Sequence, residues 1–186
     1  MPKLLVVVTS TRPGRIAPVI ADWFVSRAKE HGGFDVAVAD LAELNLPMMD
    51  EPNHPRARQY VHEHTKNWSA TVASADAFVF VTPEYNYTFT APLKNALDYL
   101  SLEWAYKPVG FVSYGGASGG LRAVQSLKPV VTTLSMFPLA MGVALPFAMN
   151  QIVEGELRPV APAEESARSM LDELAKVAVA MAPLRQ

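Results

Sequence analysis

Short apolar runs alternate along this chain with segments in which apolar residues recur at helical spacing. The first run has a Leu-Leu-Val-Val-Val centre, and the run that begins at Ala77 is apolar without interruption, as in a strand covered on both faces. Gly and Pro residues stand between most of these runs and mark turns. Strands are predicted at Lys3–Thr9, Phe34–Asp40, Ala77–Thr82, Pro108–Tyr114 and about Pro138–Leu145.

Amphipathic segments follow the predicted strands. The first carries Ile16, Ile20 and Phe24 on one face, and the last carries Ala167 and Leu174 in the same way. Others are predicted at about 57–74, from Pro92 onward and at about 120–134. Five βα units with short connections predict an α/β fold with a doubly wound parallel sheet. No linker or repeat divides the chain, so residues 1–186 are expected to form a single domain.

Composition argues against several classes of protein and of site. The formal net charge is −2, with 16 basic and 18 acidic residues, which argues against a nucleic-acid partner because such proteins usually carry a basic stripe. Cysteine is absent, which excludes disulfides, thiolate metal sites and a cysteine nucleophile. Residues 129–153 carry no charge, but their prolines and polar residues favour a buried segment over a membrane span. A cytoplasmic protein without a membrane partner is expected.

The loop after the first strand has the chemistry of an anion site. In a doubly wound sheet, ligands bind outside the carboxyl ends of the strands. Here Thr9-Ser10-Thr11-Arg12-Pro13-Gly14-Arg15 precedes a helix N-terminus, whose free N–H groups favour an anion. Hydroxyls and two arginines add donors for a terminal phosphate, which carries about two negative charges. The loop lacks both the G-x-G-x-x-G and the Walker pattern, so it predicts a monophosphate site.

Two further loops at the same edge are unusual. The loop after the third strand, Pro83-Glu84-Tyr85-Asn86-Tyr87-Thr88-Phe89, is rich in aromatic residues, and exposed rings indicate a planar ligand or a partner subunit. We expect Tyr87, Phe89 and Trp104 to lie around one edge of that ligand. The loop after the fourth strand, Ser113–Gly120, has four glycines in six positions, which lets the backbone lie against a flat ring.

The glycine-rich loop also fits the G-x-S-x-G pattern of the α/β-hydrolases from Gly116 to Gly120. That fold places its catalytic histidine after the serine, whereas all four histidines here precede Ser118, which argues against a hydrolase. His62 and His64 are predicted to point to different sides of a helix, so no metal site is expected.

Three motifs in this order resemble the NAD(P)H-dependent FMN reductases, a flavodoxin-like family of quinone, azo-compound and chromate reductases. The motifs are the first loop, then Thr-Pro-Glu-Tyr-Asn with Leu-Lys-Asn-Ala-Leu-Asp downstream, and then Ser-Tyr-Gly-Gly-x-Ser-Gly-Gly-x-Arg-Ala. The resemblance runs from the first strand to about Ala123 and implies a five-stranded sheet in the order 2-1-3-4-5. Thr9 stands where many members have glycine, and Arg15 stands where many have a small hydroxyl residue.

The resemblance implies FMN as the cofactor and NADPH or NADH as the co-substrate. Its phosphate loop corresponds to Ser10, Arg12 and Arg15. Its flavin contacts correspond to Pro83, Glu84, Tyr85, Asn86, Ser113, Tyr114, Gly115 and Gly116. The flavin carries the chemistry in this family, so no residue is assigned as a catalytic base.

Hydride transfer from nicotinamide to flavin and on to a small-molecule electron acceptor is therefore the predicted activity. A flavodoxin-like electron carrier, or a flavin- or quinone-binding module without turnover, remains the alternative, because a fold alone does not define an activity. The aromatic loop and the uncharged segment 129–153 also predict a homodimer or homotetramer in which the partner covers part of the flavin cleft.

Overall fold

The computed structural model describes residues 1–185 and is built on a parallel sheet. The strands of this sheet are β1 (Lys3–Val8), β2 (Asp35–Asp40), β3 (Ala77–Pro83), β4 (Pro108–Gly115), β5 (Phe137–Pro138) and β6 (Val143–Pro146). Their order is β2-β1-β3-β4-β5, with β6 also paired to β4, which confirms the predicted order 2-1-3-4-5.

Helices cover both faces of the sheet. They are α1 (Ala17–His31), α2 (Leu41–Leu44), α3 (Glu63–Ala73), α4 (Ala91–Asp98), α5 (Leu121–Thr133) and α6 (Ala163–Met181). Helices α1 and α6 pack on one face, and the other helices pack on the opposite face. Strand β1 serves both cores, since Leu4 and Val6 face α1 whereas Leu5 and Val7 face the other side. The alternation explains why β1 is apolar throughout, and the doubly wound fold is confirmed.

The fifth strand differs from the prediction. Residues 137–146 do not form one continuous strand, because β5 pairs with the start of β4 and β6 pairs with its end, and residues 139–142 lie between them. Pro138 has no N–H to donate, and Gly142 passes so close to the Phe111 carbonyl that a Cβ there would lie 3.0 Å from its oxygen. Interruptions of this kind are common at sheet edges, where a strand has a neighbour on one side only.

The predicted helix at about 57–74 begins later than expected, at Glu63. The chain first makes a short 3₁₀ turn that ends at Arg58, whose φ of 51° is incompatible with a continuing helix. His62 therefore precedes α3 instead of lying on it, and its ring stacks on that of His64 at 5.2 Å. The expectation that these two rings point apart was wrong.

The uncharged segment 129–153 spans the end of α5, both halves of the broken edge strand and a following 3₁₀ turn. Within residues 1–185, no helix combines the length and the apolar character that crossing a membrane requires. The remaining strands, β7 (Ile152–Val153) and β8 (Glu156–Leu157), form a small antiparallel hairpin that the sequence did not predict.

Candidate functional site

The loop between β1 and α1 presents donors at the carboxyl end of the sheet. Thr9 and Ser10 are buried, whereas Thr11 and Arg12 are exposed. No side chain caps the N-terminus of α1, so the first amides of this 15-residue helix have no side-chain acceptor. An uncapped N-terminus beside an arginine is a favourable place for an anion. The Thr9 hydroxyl is committed elsewhere, because it donates to the carbonyl of Val81 at 3.1 Å.

The two arginines of this loop have different surroundings. Within residues 1–185, no carboxylate lies within ion-pairing distance of Arg12. Arg15 instead forms a two-pronged ion pair with Asp40 at the end of β2, with N–O distances of 2.6 and 2.7 Å. The hydrogen bond to Asp40 raises the pKa of Arg15. Of the two arginines predicted to face the phosphate, Arg12 therefore has no carboxylate partner, whereas Arg15 is already paired with Asp40.

The loop after β3 turns back on itself within four residues. Tyr85 and Thr88 exchange backbone hydrogen bonds of 2.9 and 3.0 Å, and between them Asn86 and Tyr87 have φ of 47° and 70°. Two successive positive φ values define a type I′ turn, whose second position usually holds glycine. A tyrosine there is strained by about 1–3 kcal/mol, and residues held in this way cluster at functional sites. The turn presents the 69% exposed Tyr87 ring at its tip.

Glu84 joins this turn to the start of α5. Its carboxylate accepts hydrogen bonds from Arg122 Nε at 2.5 Å, Ser118 Oγ at 2.8 Å and the Arg122 backbone N–H at 3.2 Å. Burial favours a higher pKa for Glu84, but the hydrogen bonds from Arg122 and Ser118 outweigh it and lower the pKa. The Arg122 guanidinium lies 3.9 Å from the centre of the Tyr87 ring, so one arginine holds both the carboxylate and the ring.

The glycine-rich loop after β4 divides into two pairs. Gly119 and Gly120 have φ of 58° and 83°, and a Cβ on Gly120 would lie 2.7 Å from the Tyr114 backbone nitrogen. These two glycines are required by the turn itself. Gly115 and Gly116 have no such constraint, and a Cβ on Gly116 would meet nothing within 4 Å. The open space beside Gly116 leaves room for a ligand.

The three loops meet in one cleft with a volume of about 200 Å³. Eight predicted site residues line it: Ser10, Arg12, Arg15, Pro83, Glu84, Tyr85, Tyr114 and Gly115. The Ser10 and Tyr85 hydroxyls are hydrogen-bonded across it at 2.9 Å, and burial raises the pKa of Tyr114. Larger clefts of about 470 and 510 Å³ lie beside α6, but neither is lined by the phosphate loop. This smaller cleft is the candidate site because of the residues that line it.

Three predicted residues lie outside the cleft lining. Asn86 is at the tip of the tight turn, and Gly116 lies beyond Gly115. Ser113 is buried, and its hydroxyl donates to the Gly119 carbonyl at 2.8 Å, so it shapes the glycine-rich loop from within. Trp104 was also expected near the ligand, but it is buried between Trp68 and Phe78 on the α3 side of the sheet. Phe89 likewise packs against that core.

Some lining residues were missed from the sequence. Ile16, Ala148 and Met149 also line the cleft, the last two from the 3₁₀ turn that follows β6. The rule that ligands bind beyond the carboxyl ends of strands applies to the last strand as well, so it could have identified this turn. The partner of Arg15, Asp40, was not among the predicted site residues, although it ends the strand next to β1.

The residues of this cleft fit FMN. The uncapped end of α1 and Arg12 match a phosphate, and the partly exposed Tyr85 on the wall of the cleft matches the flat, partly open setting of a flavin ring. Ser10, Arg12 and the α1 amides would hold the phosphate, with Pro83–Tyr85 and Tyr114–Gly115 along the ring. Fold and cleft together define a flavodoxin-like nucleotide-binding protein.

Comparison with known proteins places the chain within that class. The sequence model described as NADPH-dependent FMN reductase matches residues 2–150. An NAD(P)H-dependent FMN reductase of Schizosaccharomyces pombe is 44% identical over 160 residues, covering 85% of this chain and 80% of the relative. A Saccharomyces cerevisiae protein of the same description is 33% identical, covering 81% and 83%. The chain belongs to the NAD(P)H-dependent FMN reductase family.

Other relatives carry the names of particular activities. A rice protein named probable NADPH:quinone oxidoreductase is 38% identical over 98 residues, covering 51% of this chain and 45% of the relative. Among solved structures, the flavoenzyme NAD(P)H:(acceptor) oxidoreductase of Paracoccus denitrificans superimposes with a TM-score of 0.75 at 18% identity, covering 97% of this chain and 99% of that one. At that identity the superposition establishes the shared fold.

Proposed function

We propose that this protein oxidises NADH or NADPH and passes the reducing equivalents to a small-molecule acceptor such as a quinone, an azo compound or free flavin. The observation that carries the proposal is the convergence of an uncapped helix N-terminus, Arg12 and two ring-facing loops in one cleft. Family membership and the quinone oxidoreductase name of the rice relative support it. FMN, when bound, supplies the hydride acceptor and donor, and the chain supplies its binding and orientation.

Selectivity for a terminal phosphate tests the cofactor assignment. Apoprotein titrated with FMN, FAD and riboflavin should prefer FMN, because the first loop has donors for one terminal phosphate. Arg12→Ala should weaken FMN binding roughly 10- to 100-fold, the usual effect of losing a hydrogen bond to a charged group. The matched control is Arg158→Ala, an exposed arginine outside the cleft. Equal affinity for FMN and FAD, or an unaffected Arg12→Ala variant, would contradict the assignment.

Steady-state kinetics test the activity. The nicotinamide and the acceptor are proposed to use the same open face of the cleft in turn, which predicts parallel double-reciprocal lines when NADPH and a soluble quinone are varied together. Intersecting lines would reject the shared face. Absence of NAD(P)H oxidation by FMN-loaded protein would favour the electron carrier or binding module.

Assembly and cell location are part of the proposal. Met149 lines the cleft, and the exposed rings of Tyr87 and Phe147 lie within two residues of lining residues, which supports a homodimer or homotetramer whose partner covers the open side of the cleft. We also propose that the whole chain is one cytoplasmic domain. Light scattering at micromolar concentration should give a mass of at least twice 20.3 kDa, and a monomer alone would contradict this assembly.

A further inference from the structure

Three hydrogen bonds within the protein hold the Arg15 guanidinium. Nη1 donates to Asp40 Oδ1 at 2.6 Å and to the Ser10 carbonyl at 2.8 Å, and Nη2 donates to Asp40 Oδ2 at 2.7 Å. The Arg15 and Asp40 side chains are only 18% and 11% exposed. Paired, fork-like contacts of this kind are the strongest that arginine makes with a carboxylate. The guanidinium therefore closes the phosphate loop against the end of β2.

The Asp40 carboxylate makes a further hydrogen bond within the protein. Besides accepting from Arg15, its Oδ1 accepts the Ala42 N–H at 2.9 Å and so caps the start of α2. Val8 at the end of β1 is in register with Asp40 at the end of β2, so the pair joins two adjacent strand ends. One carboxylate thus links the phosphate loop, the edge of the sheet and α2.

The electrostatic consequence concerns the phosphate. Asp40 without Arg15 would place an uncompensated negative charge beside a site for a dianion, which would repel it. With Arg15 present the pair is neutral, and the positive charge of the loop comes from Arg12 and the amides of α1. Arg15 thereby compensates Asp40, and its own charge is already balanced.

We propose that Arg15 and Asp40 are positioning residues, a neutral brace that shapes the phosphate loop while Arg12 and the loop amides bind the phosphate. This inference deepens the proposed function and rests on it. It reassigns Arg15 from the predicted direct phosphate contact to a role exerted through Ser10 and Asp40. It also gives Asp40 a role that its position in the sequence did not suggest.

The test compares the preference for FMN over riboflavin in four proteins: wild type, Arg12→Gln, Arg15→Gln and Arg15→Gln/Asp40→Asn. Arg12→Gln removes the same charge from the same loop and is the matched control. We expect it to lower the preference roughly 10- to 100-fold. Arg15→Gln should lower it too, because Asp40 is left uncompensated, and adding Asp40→Asn should restore it to within about threefold of wild type, since the neutral amides retain hydrogen bonds.

Rescue by the second substitution is the decisive result. A double variant as impaired as Arg12→Gln would overturn the inference and make Arg15 a direct phosphate ligand. An Arg15→Gln variant identical to wild type would overturn it as well. Near-ultraviolet circular dichroism and thermal unfolding identify variants that misfold, and for any of these the uncharged Arg15→Met, with and without Asp40→Asn, serves in place of glutamine, with rescue again required. A wild-type protein that binds riboflavin as tightly as FMN would instead refute the proposed phosphate site.

Discussion

The two ends of the sheet differ in how completely their polar groups find partners within the protein. At the carboxyl end, no carboxylate of residues 1–185 pairs with Arg12, and the N-terminus of α1 lacks a side-chain cap. At the amino end, Lys107 and Glu103 are nearly inaccessible, and each has hydrogen-bond partners within the fold. Donors without a protein partner therefore lie at the end where a ligand is proposed, whereas the buried charges at the opposite end have protein partners.

The amino-end network shows how completely a buried carboxylate is satisfied. Glu103 accepts from Ser69 Oγ at 2.7 Å, Tyr60 Oη at 2.9 Å and the Ser101 N–H at 3.2 Å. Burial favours a higher pKa for Glu103, but these hydrogen bonds, that from Ser69 first, outweigh it and lower the pKa. Lys107 donates to the carbonyls of Val72 and Ala73, which end α3. Such a network stabilises the fold.

Removing the Glu103 side chain is expected to have the largest effect on stability. Glu103→Ala leaves the Ser69 and Tyr60 hydroxyls without their acceptor, so the free energy of unfolding should fall by roughly 2–4 kcal/mol. Urea unfolding measures this value. Arg58→Ala is the control, because Arg58 is the 54% exposed partner of the same carboxylate and its loss should cost less than about 1 kcal/mol. If Glu103→Ala lowered the FMN-over-riboflavin preference of folded protein, the separation of the two ends would fail.

Lys107 is expected to make a smaller contribution to stability, and this contribution depends on pH. Burial lowers the pKa of Lys107 to about 8, below the value of about 10.4 for an unfolded lysine. Between these values the unfolded chain binds more protons, so stability increases with pH by roughly 1–2 kcal/mol from about pH 8 to 9.5. The pKa of Tyr99 is raised to about 12, which reverses the slope above about pH 10. Urea unfolding of Lys107→Met should lack the increase, and an unchanged slope would assign it to another group.

Replacing Tyr87 is expected to have the smallest effect on stability. Tyr87→Gly relieves the strain of the positive φ, about 1–3 kcal/mol, but it loses the contact with Arg122, about 1–2 kcal/mol, so the two contributions oppose one another. The melting temperature should therefore shift by less than about 3 °C. Asn86→Gly is the matched change at the neighbouring position, where asparagine already tolerates φ > 0. A large loss of stability on Tyr87→Gly would mean that the ring is buried against a partner subunit.

The strand positions and the loops of the cleft could be predicted because both depend on local patterns, whereas the strand order was implied by the resemblance to a family. Continuous apolar runs identify β1 and β3, and the loops that follow them carry the polar chemistry. The pairing of Glu84 with Arg122 joins residues 38 positions apart and depends on how α5 packs, which no local pattern encodes. The Arg15–Asp40 ion pair would have been easier to predict, because the loop after β1 and the end of β2 lie side by side on adjacent strands. Trp104 was misplaced because an aromatic residue near a loop in sequence can still belong to the core.

The broken fifth strand also limits how copies of this protein can associate. A continuous edge strand offers a row of free N–H and C=O groups, to which a second chain can add a strand. Here β5 is two residues long, includes Pro138, and is separated from β6 by residues 139–142. This edge is therefore a poor template for a strand from a second copy. We expect any contact between copies on this side to use exposed side chains such as Phe137 and Met141 in place of backbone pairing.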